Sequence, residues 1–231
     1  MAKSALLTSV SHEIRTPLQA IKGFTELLST MDLEQERREE ALSRINAAAN
    51  HLLSLVTDVL DISRAEAKAL PLRPEAVEVS RSIDEVVDLT SSLAVERGMS
   101  VWTSLVDDEC VWADADRLRQ VLFNLIGNAL RHGRRGGVVR ISASSTVEFV
   151  VVEIADDGPG IPDEVLARIF TPFTRGADAG VAEPVDGHGL GLMLAHGLVV
   201  AMGGELTAGN APSGGAVFTM RLLRASDEVG R

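Results

Sequence analysis

The sequence predicts an α+β protein, in which an N-terminal antiparallel helical hairpin forms a dimeric four-helix bundle and an α/β sandwich follows. Three observations predict this fold class. Residues 1–68 contain one proline and one glycine, and their apolar residues recur at helical spacing. The stretch ALPLRPE, residues 69–75, has two prolines and ends the helical pattern. Beyond it, helical stretches alternate with strands rich in β-branched residues.

These patterns divide the chain into four predicted segments. Residues 1–69 form the helical hairpin, 70–75 a linker, 76–225 the α/β domain and 226–231 a C-terminal tail. The formal net charge of −11 argues against nucleic-acid binding, which depends on basic surfaces. We expect a cytoplasmic chain, or the cytosolic portion of a longer, membrane-bound sensor. Any membrane contact would then come from the missing N-terminal sensor.

The two predicted helices each carry one apolar stripe. In the first, the stripe consists of Leu7, Val10, Ile14, Leu18, Ile21 and Leu28. In the second, it consists of Ala41, Ile45, Ala48, Leu52, Leu55, Val59 and Ile62. From Ile45 onward the second stripe advances by three and four residues alternately, which is a heptad pattern. Such a seam favours a homodimeric four-helix bundle, and the alternative is that it packs on the C-terminal half of the same chain.

The C-terminal half alternates helices and strands in a defined order. A helix ends at Gly98, the strand MSVWTSLV follows, and a second helix runs from near Asp114 to Gly133. The strands GGVVRISASS and TVEFVVVEIADDG come next, followed by an irregular glycine-rich stretch. A helix from about Leu190 to Met202 and the strands ELTAGN and GAVFTMRL complete the domain. Mostly antiparallel strands are expected.

A histidine on the first helix lies off its apolar stripe. His12 is two residues from both Val10 and Ile14, so it points about 200° away from them. Thr16 follows one turn later on the same face, and Glu13 is adjacent. A neighbouring carboxylate favours the positive imidazole that develops when the ring attacks an electrophile. The pattern predicts a solvent-facing nucleophile, and the alternative is an idle surface histidine.

Two further motifs predict a binding site for a ligand that carries both phosphate groups and N–H donors. Asn124 and Asn128 lie one turn apart on one helix face, where neutral oxygens suit hydrated Mg²⁺ beside phosphates; the alternative is a pair of surface amides. In ADDGPGIP, Asp156 precedes Gly158 and Gly160. An acidic residue repels phosphate and suits an N–H donor such as the amine of adenine; the alternative is an acidic β-turn.

Five motifs together resemble the sensor histidine kinases of bacterial two-component systems, in the family's order over residues 5–223. SHEIRTPLQAI resembles the H-box, NLIGNALRHG the N-box and ADDGPGIP the D-x-G-x-G motif. IFTPFTRG, with Phe170 and Phe173, resembles the F-box, and GHGLGL the G2 box. The resemblance implies an ATP-binding domain of the gyrase and histidine-kinase type. Residues 177–187, ADAGVAEPVDG, are predicted to be a mobile ATP lid.

The resemblance also implies a role for each matching residue. His12 is the phospho-acceptor, Glu13 the general base, and Thr16 orients water for dephosphorylation of a partner. Asp156 accepts a hydrogen bond from the amine of adenine, and Gly158 and Gly160 belong to the same motif. Asn128 coordinates Mg²⁺. The remaining implied nucleotide contacts are Asn124, Arg131, His132, Arg175, Gly187, Gly189, Leu190 and Gly191. His132 and His188 depart from the family pattern and bear on nucleotide affinity.

The resemblance therefore implies a homodimeric kinase that uses ATP and Mg²⁺ and has a response-regulator receiver domain as its partner. It transfers the γ-phosphoryl group to His12 and then to an aspartate of that partner. Two other classes stay open on the sequence. One is a non-catalytic, pseudokinase-like module that dimerises with another kinase and inhibits it. The other is a nucleotide-driven clamp ATPase without a phosphohistidine.

Overall fold

Two long helices make up the N-terminal part of the chain. The computed structural model describes residues 2–31, 33–67, 69–105, 109–172, 174, 189–212 and 214–225, without the side chains of residues 2–9, 12 and 66. Helix α1 spans Ala2–Thr30 and α2 spans Gln35–Glu66. The chain divides into two compact units, Met1–Ser63 and Arg64–Arg231. None of the helices in the described ranges is long and apolar enough to cross a membrane.

Burial along α2 follows the predicted heptad seam. Ala41, Leu55 and Ile62 are buried. The other seam residues, which are half-buried, are Ile45, Ala48, Leu52 and Val59. In α1 the seam residue Val10 is buried, whereas Leu18 is 55% exposed. The periodicity thus identified the inward face of α2, and Leu18 lies outside the corresponding face of α1.

A second apolar stripe on α2 faces solvent in the single chain. Leu42, Leu53, Val56 and Leu60 are 48%, 66%, 40% and 51% exposed. Each follows a seam residue by one position, so this outer stripe is rotated by about 100° around the helix axis. An amphipathic helix normally exposes polar residues on such a face. The outer stripe is therefore a surface that a further helix could cover.

The second unit contains seven strands and four helices among the described residues. In chain order they are β1 (Glu75–Glu78), α3 (Val79–Arg97), β2 (Ser100–Ser104), β3 (Cys110–Ala113), α4 (Ala115–His132), β4 (Val138–Ser145), β5 (Phe149–Ala155), α5 (Asp163–Leu166), α6 (Gly191–Ala201), β6 (Glu205–Asn210) and β7 (Ala216–Leu223). The main sheet has the order β2-β4-β5-β7-β6, and β1 pairs with β3 in a small separate sheet. The strand pairs are antiparallel except β2 with β4, which is parallel.

Helices cover one face of the main sheet and form the core with it. Alternate residues of the central strands are buried, among them Ile141, Ile154 and Phe218. The facing side of α4 contributes Leu122 and Leu125, both fully buried. Full burial of one such side chain contributes about 1.5–3 kcal/mol. This is the two-layer α/β sandwich that the sequence predicts.

Two helix boundaries have the local chemistry expected at those positions. The Asp114 carboxylate caps α4 by accepting hydrogen bonds from the backbone N–H groups of Asp116 and Arg117. Gly98 ends α3 in a left-handed conformation, with φ of 64°. The strands β1 and β3 and the short helix α5 were not predicted. Each has only four residues, too few to show a period of their own.

Candidate functional site

The motif that resembles the H-box lies within α1. His12, Glu13 and Thr16 all have helical backbone, with Glu13 half-buried and Thr16 exposed. The side chain of His12 is outside the described part of the chain. Its predicted outward orientation therefore stays a prediction, although Val10 is buried on the opposite face as the periodicity requires.

Asp156 follows β5 and is almost completely buried, with 4% of its surface exposed. Its Oδ1 accepts hydrogen bonds from the backbone N–H of Gly158, at 2.8 Å, and of Ala216, at 3.2 Å. Its Oδ2 is buried without a hydrogen-bond partner among the described residues. Burial raises the pKa of Asp156, Gly158 and Ala216 lower it, and nearby Asp157 raises it further, with a net upward shift. A buried acceptor of this kind is suited to a hydrogen-bond donor that a ligand or an ordered water supplies.

The glycines around Asp156 allow backbone segments to approach closely. A Cβ on Gly158 would lie 2.5 Å from the carbonyl oxygen of His132, at the end of α4. A Cβ on Gly133 would lie 2.7 Å from the carbonyl oxygen of Ala129 and 3.5 Å from the Asp156 Cβ. The distances to the two carbonyl oxygens leave no room for a Cβ at either glycine. The end of α4 is consequently in close contact with the loop that carries Asp156.

The paired asparagines lie on α4 beside the start of α6. Asn124 and Asn128 are half-buried, whereas Leu125 and Ile126 on the other side of α4 are fully buried. A Cβ on Gly191 would lie 3.2 Å from Asn124 Oδ1, so the first turn of α6 approaches this asparagine. The structure thus brings residues of the N-box and G2 box together. The N-terminus of α6 and amide side chains then share one region, which favours phosphate groups.

An arginine and a histidine, Arg131 and His132, end α4 near the same region. The Arg131 guanidinium folds back along the helix, since a Cβ on Gly127 would lie 3.1 Å from one of its Nη atoms. His132 keeps an exposed surface. Desolvation of its ring lowers the pKa of His132, and the charges of Arg131 and Arg97 lower it further. At neutral pH the His132 ring is therefore uncharged, which suits contact with an aromatic base.

Residues after β5 and before α6 are described in part. Gly189 has φ of 66°, and Leu190 is fully buried at the start of α6. The Phe170 ring stacks on the His196 ring of α6, with 4.8 Å between centroids. The predicted site residues Arg175 and Gly187, together with Phe173 and the predicted lid at residues 177–187, lie outside the described residues.

The sequence patterns missed several residues that shape this region. Asn210 at the end of β6 hydrogen-bonds the backbone of Ile161, and Ala216 at the start of β7 holds Asp156. Gly215 also contacts Asp156 through its backbone. The APSGG stretch signals a turn between two strands, but no local signal shows which loop that turn approaches.

Comparison with known proteins accounts for both units. Residues 2–68 match the family model of the His Kinase A (phospho-acceptor) domain. Residues 113–226 match the family of histidine kinase-, DNA gyrase B- and HSP90-like ATPases. The chain belongs to the sensor histidine kinases. It comprises the catalytic core of a two-component kinase, with a helical phospho-acceptor region followed by an ATP-binding domain.

The chain spans less than half the length of the curated relatives it matches. It is 36% identical over 222 residues to the signal transduction histidine-protein kinase BarA of Escherichia coli, covering 94% of this chain and 24% of BarA. A solved structure of full-length ShkA with AMPPNP has a TM-score of 0.72 and 33% identity, covering 98% of this chain and 47% of ShkA. ThkA, solved in complex with the response regulator protein TrrA, has a TM-score of 0.73 and 25% identity, covering 96% of this chain and 61% of that one.

Proposed function

We propose that this chain is an ATP-dependent histidine autokinase that phosphorylates His12 and passes the phosphoryl group to an aspartate of a response regulator. The observation that carries the proposal is the buried Oδ2 of Asp156, which has no partner among the described residues. The exocyclic amine of adenine would donate a hydrogen bond to this oxygen. The adjoining asparagines and the start of α6 would then receive the phosphates.

The residues near Asn128 fit a magnesium ion carried with ATP. Within the described ranges, no group of three or more His, Cys, Asp or Glu could hold a metal by itself. Mg²⁺ commonly binds through substrate phosphates and few protein ligands, so the Asn128 amide oxygen is a suitable protein ligand, with Asn124 beside it. Bound Mg²⁺ would neutralise the negative charge of the phosphates during transfer of the γ-phosphoryl group.

The proposed chemistry begins at the imidazole of His12. One ring nitrogen attacks the γ-phosphorus of ATP, and the bond from that phosphorus to the oxygen of ADP breaks. Glu13 accepts the proton from the other ring nitrogen and so leaves a phosphoramidate with an uncharged imidazole ring and an anionic phosphoryl group. An aspartate of the response regulator then attacks the same phosphorus, the phosphorus–nitrogen bond of His12 breaks, and the ring regains a proton from Glu13. Thr16 would orient a water that removes the phosphoryl group from the regulator.

We propose that the remaining predicted site residues also contact the nucleotide, with Gly158 and Gly160 shaping the loop beside Asp156. The phosphates would be bound by Arg131, Arg175 and the G2 residues Gly187, Gly189, Leu190 and Gly191, and neutral His132 would contact the nucleotide.

The outer stripe of α2 supports a homodimer, because a second copy of the hairpin would cover it. The structure of ThkA with TrrA supports a response regulator as partner. Because the reaction consumes ATP, we expect the chain in the cytoplasm.

Labelling with γ-³²P-ATP tests this function directly. We expect the unaltered chain to acquire an acid-labile, base-stable label, and His12→Ala to acquire none while still binding ADP. His51→Ala is the matched control, since His51 also lies on a hairpin helix and should leave labelling unchanged. Label retained by His12→Ala would overturn the assignment of the phospho-acceptor.

A mixing experiment shows whether the γ-phosphoryl group of ATP passes to His12 of the same subunit or to His12 of the other subunit in a dimer. His12→Ala and Asn128→Ala chains are each expected to be unlabelled alone. In mixed dimers, labelling of the Asn128→Ala chain would mean transfer between subunits. Its absence, in dimers verified by differential tags, would mean transfer within one subunit.

A further inference from the structure

The side chain of Asn210 binds both polar groups of one distant peptide residue. Its Nδ2 donates to the carbonyl oxygen of Ile161, and the N–H of Ile161 donates to its Oδ1, both at 2.7 Å. The two residues are 49 positions apart in the chain. A primary amide is suited to this contact because it offers one donor and one acceptor side by side.

The same rung of the β6–β7 pair also holds Asp156. Asn210 lies directly opposite Ala216 in the strand register. The N–H of Ala216 donates to Asp156 Oδ1, and the N–H of Asp156 donates to the carbonyl oxygen of Ala216, at 3.0 Å. One end of this rung therefore fixes Asp156, and the other fixes Ile161, where the loop after Asp156 ends.

Gly160 makes the close approach of Asn210 possible. A Cβ at position 160 would lie 2.8 Å from Asn210 Oδ1, and the φ of Gly160 is +78°. Any larger residue would push the asparagine away and strain the backbone. Within the loop, the N–H of Gly158 donates to Asp156 Oδ1. The loop between Asp156 and Ile161 is thus held at both ends and bonded to the carboxylate itself.

We propose that Asn210 is a positioning residue for adenine recognition. By holding Ile161, it keeps the loop in the conformation that bonds Asp156 Oδ1 and leaves Oδ2 directed at the 6-amino group of adenine. The inference rests on the proposed function, since it needs ATP to bind at Asp156. It adds that selection of the 6-amino group depends on a residue of the β6–β7 hairpin that does not touch the base.

The test compares ATP with purine riboside triphosphate, which lacks the 6-amino group. We expect Asn210→Ala to raise the Kd for ATP by about 3- to 10-fold, the effect of losing one or two ordinary hydrogen bonds. The Kd for purine riboside triphosphate should change by less than about 2-fold, because no amine is present to be misaligned. Asn210→Asp is the second variant. It keeps an acceptor for the N–H of Ile161, loses the donor to its carbonyl, and should also reduce discrimination.

A double-mutant cycle separates positioning from general stability. In chains that already carry Asp156→Asn, adding Asn210→Ala should not change the Kd for ATP further. Thr207→Ala is the matched control, because Thr207 also lies on β6 and its hydroxyl donates to the backbone carbonyl of Thr219 on β7. It should leave both affinities unchanged. Circular dichroism and thermal unfolding establish that each variant is folded.

Two results would overturn the inference. One is an equal loss of affinity for both nucleotides in Asn210→Ala and Asn210→Asp. The other is a loss in the double variant that equals the sum of the two single losses. Failure of the proposed function looks different, since Asp156→Asn alone would then leave the preference for ATP intact.

Discussion

The backbone of Gly215 contacts the backbone of Asp156 so closely that no side chain fits between them. A Cβ on Gly215 would lie 1.9 Å from the carbonyl oxygen of Asp156, and the φ of Gly215 is +88°. The neighbouring Gly214 has a similar φ of +93°, yet a Cβ there would meet nothing within 4 Å. The turn between β6 and β7 therefore contacts the backbone of Asp156 through Gly215 and not through Gly214.

Gly215→Ala is expected to destabilise the fold and abolish ADP binding, whereas Gly214→Ala should only destabilise it mildly. Both variants place a side chain at positive φ, which costs about 1–2 kcal/mol. Only Gly215→Ala adds a collision with Asp156, for about 1–3 kcal/mol more. Thermal unfolding and calorimetric titration with ADP measure the two effects. Equal losses in both variants would contradict a specific contact with Asp156.

Asp156→Asn is expected to weaken ATP binding and to keep or increase the free energy of unfolding. Because burial raises the pKa of Asp156, the folded chain favours the protonated acid. Its contribution to stability is present below the ordinary aspartate pKa of 3.8 and is lost as the pH rises through the raised value. The amide removes this cost of ionisation at neutral pH. Urea unfolding at pH 4 and pH 7 should show a larger gain at pH 7, and a clear loss of stability at pH 7 would contradict the argument.

Asp114 should show the opposite dependence on pH. Burial alone would raise the pKa of Asp114, but the N–H groups of Arg73, Arg117 and Asp116 outweigh it, and the net shift is downward. Its stabilising effect is therefore present above the ordinary aspartate pKa and is lost as the pH falls through the lowered value. Asp114→Ala should lose about 1–2 kcal/mol at pH 7. The difference from the unaltered chain should shrink at acidic pH, with exposed Asp116→Ala as the control.

The outer stripe of α2 is expected to be the dimer interface. Replacing Leu53 and Leu60 together by glutamate should convert dimers into monomers, because charged residues would face each other in an apolar seam. Sedimentation velocity measures the change. Val95→Glu is the control, since Val95 on α3 is 79% exposed and should not alter the assembly. A dimer that persists in the double variant would rule out this interface.

Thr16→Ala should separate the two proposed activities of the hairpin. We expect autophosphorylation of His12 to stay within about 2-fold, because Thr16 does not take part in phosphoryl transfer to the histidine. Dephosphorylation of the response regulator should fall by about 10- to 100-fold, because the attacking water loses its orienting hydroxyl. Both are followed with ³²P-labelled protein. Unchanged dephosphorylation would remove Thr16 from the site, and Thr25→Ala on α1 serves as the control.

The sequence by itself determined the features that depend on neighbouring residues. The heptad spacing identified the side of α2 that is buried at Leu55 and Ile62, because side chains three and four apart share a helix face. Asp114 and Gly133 marked the ends of α4, since capping chemistry is local. Family motifs indicated Asp156 and the paired asparagines as candidate ligands.

Only the tertiary structure decided which distant segments meet. Strands β1 and β3 pair with each other although neither has a pattern of its own, and Asn210 reaches Ile161 across 49 positions. Gly215 and Ala216 hold Asp156 because the sheet order brings β5 beside β7. Such contacts depend on strand register and on the path of the whole chain. Local spacing carries no information on them, because loop closure between remote segments is settled by the packing of the complete sheet.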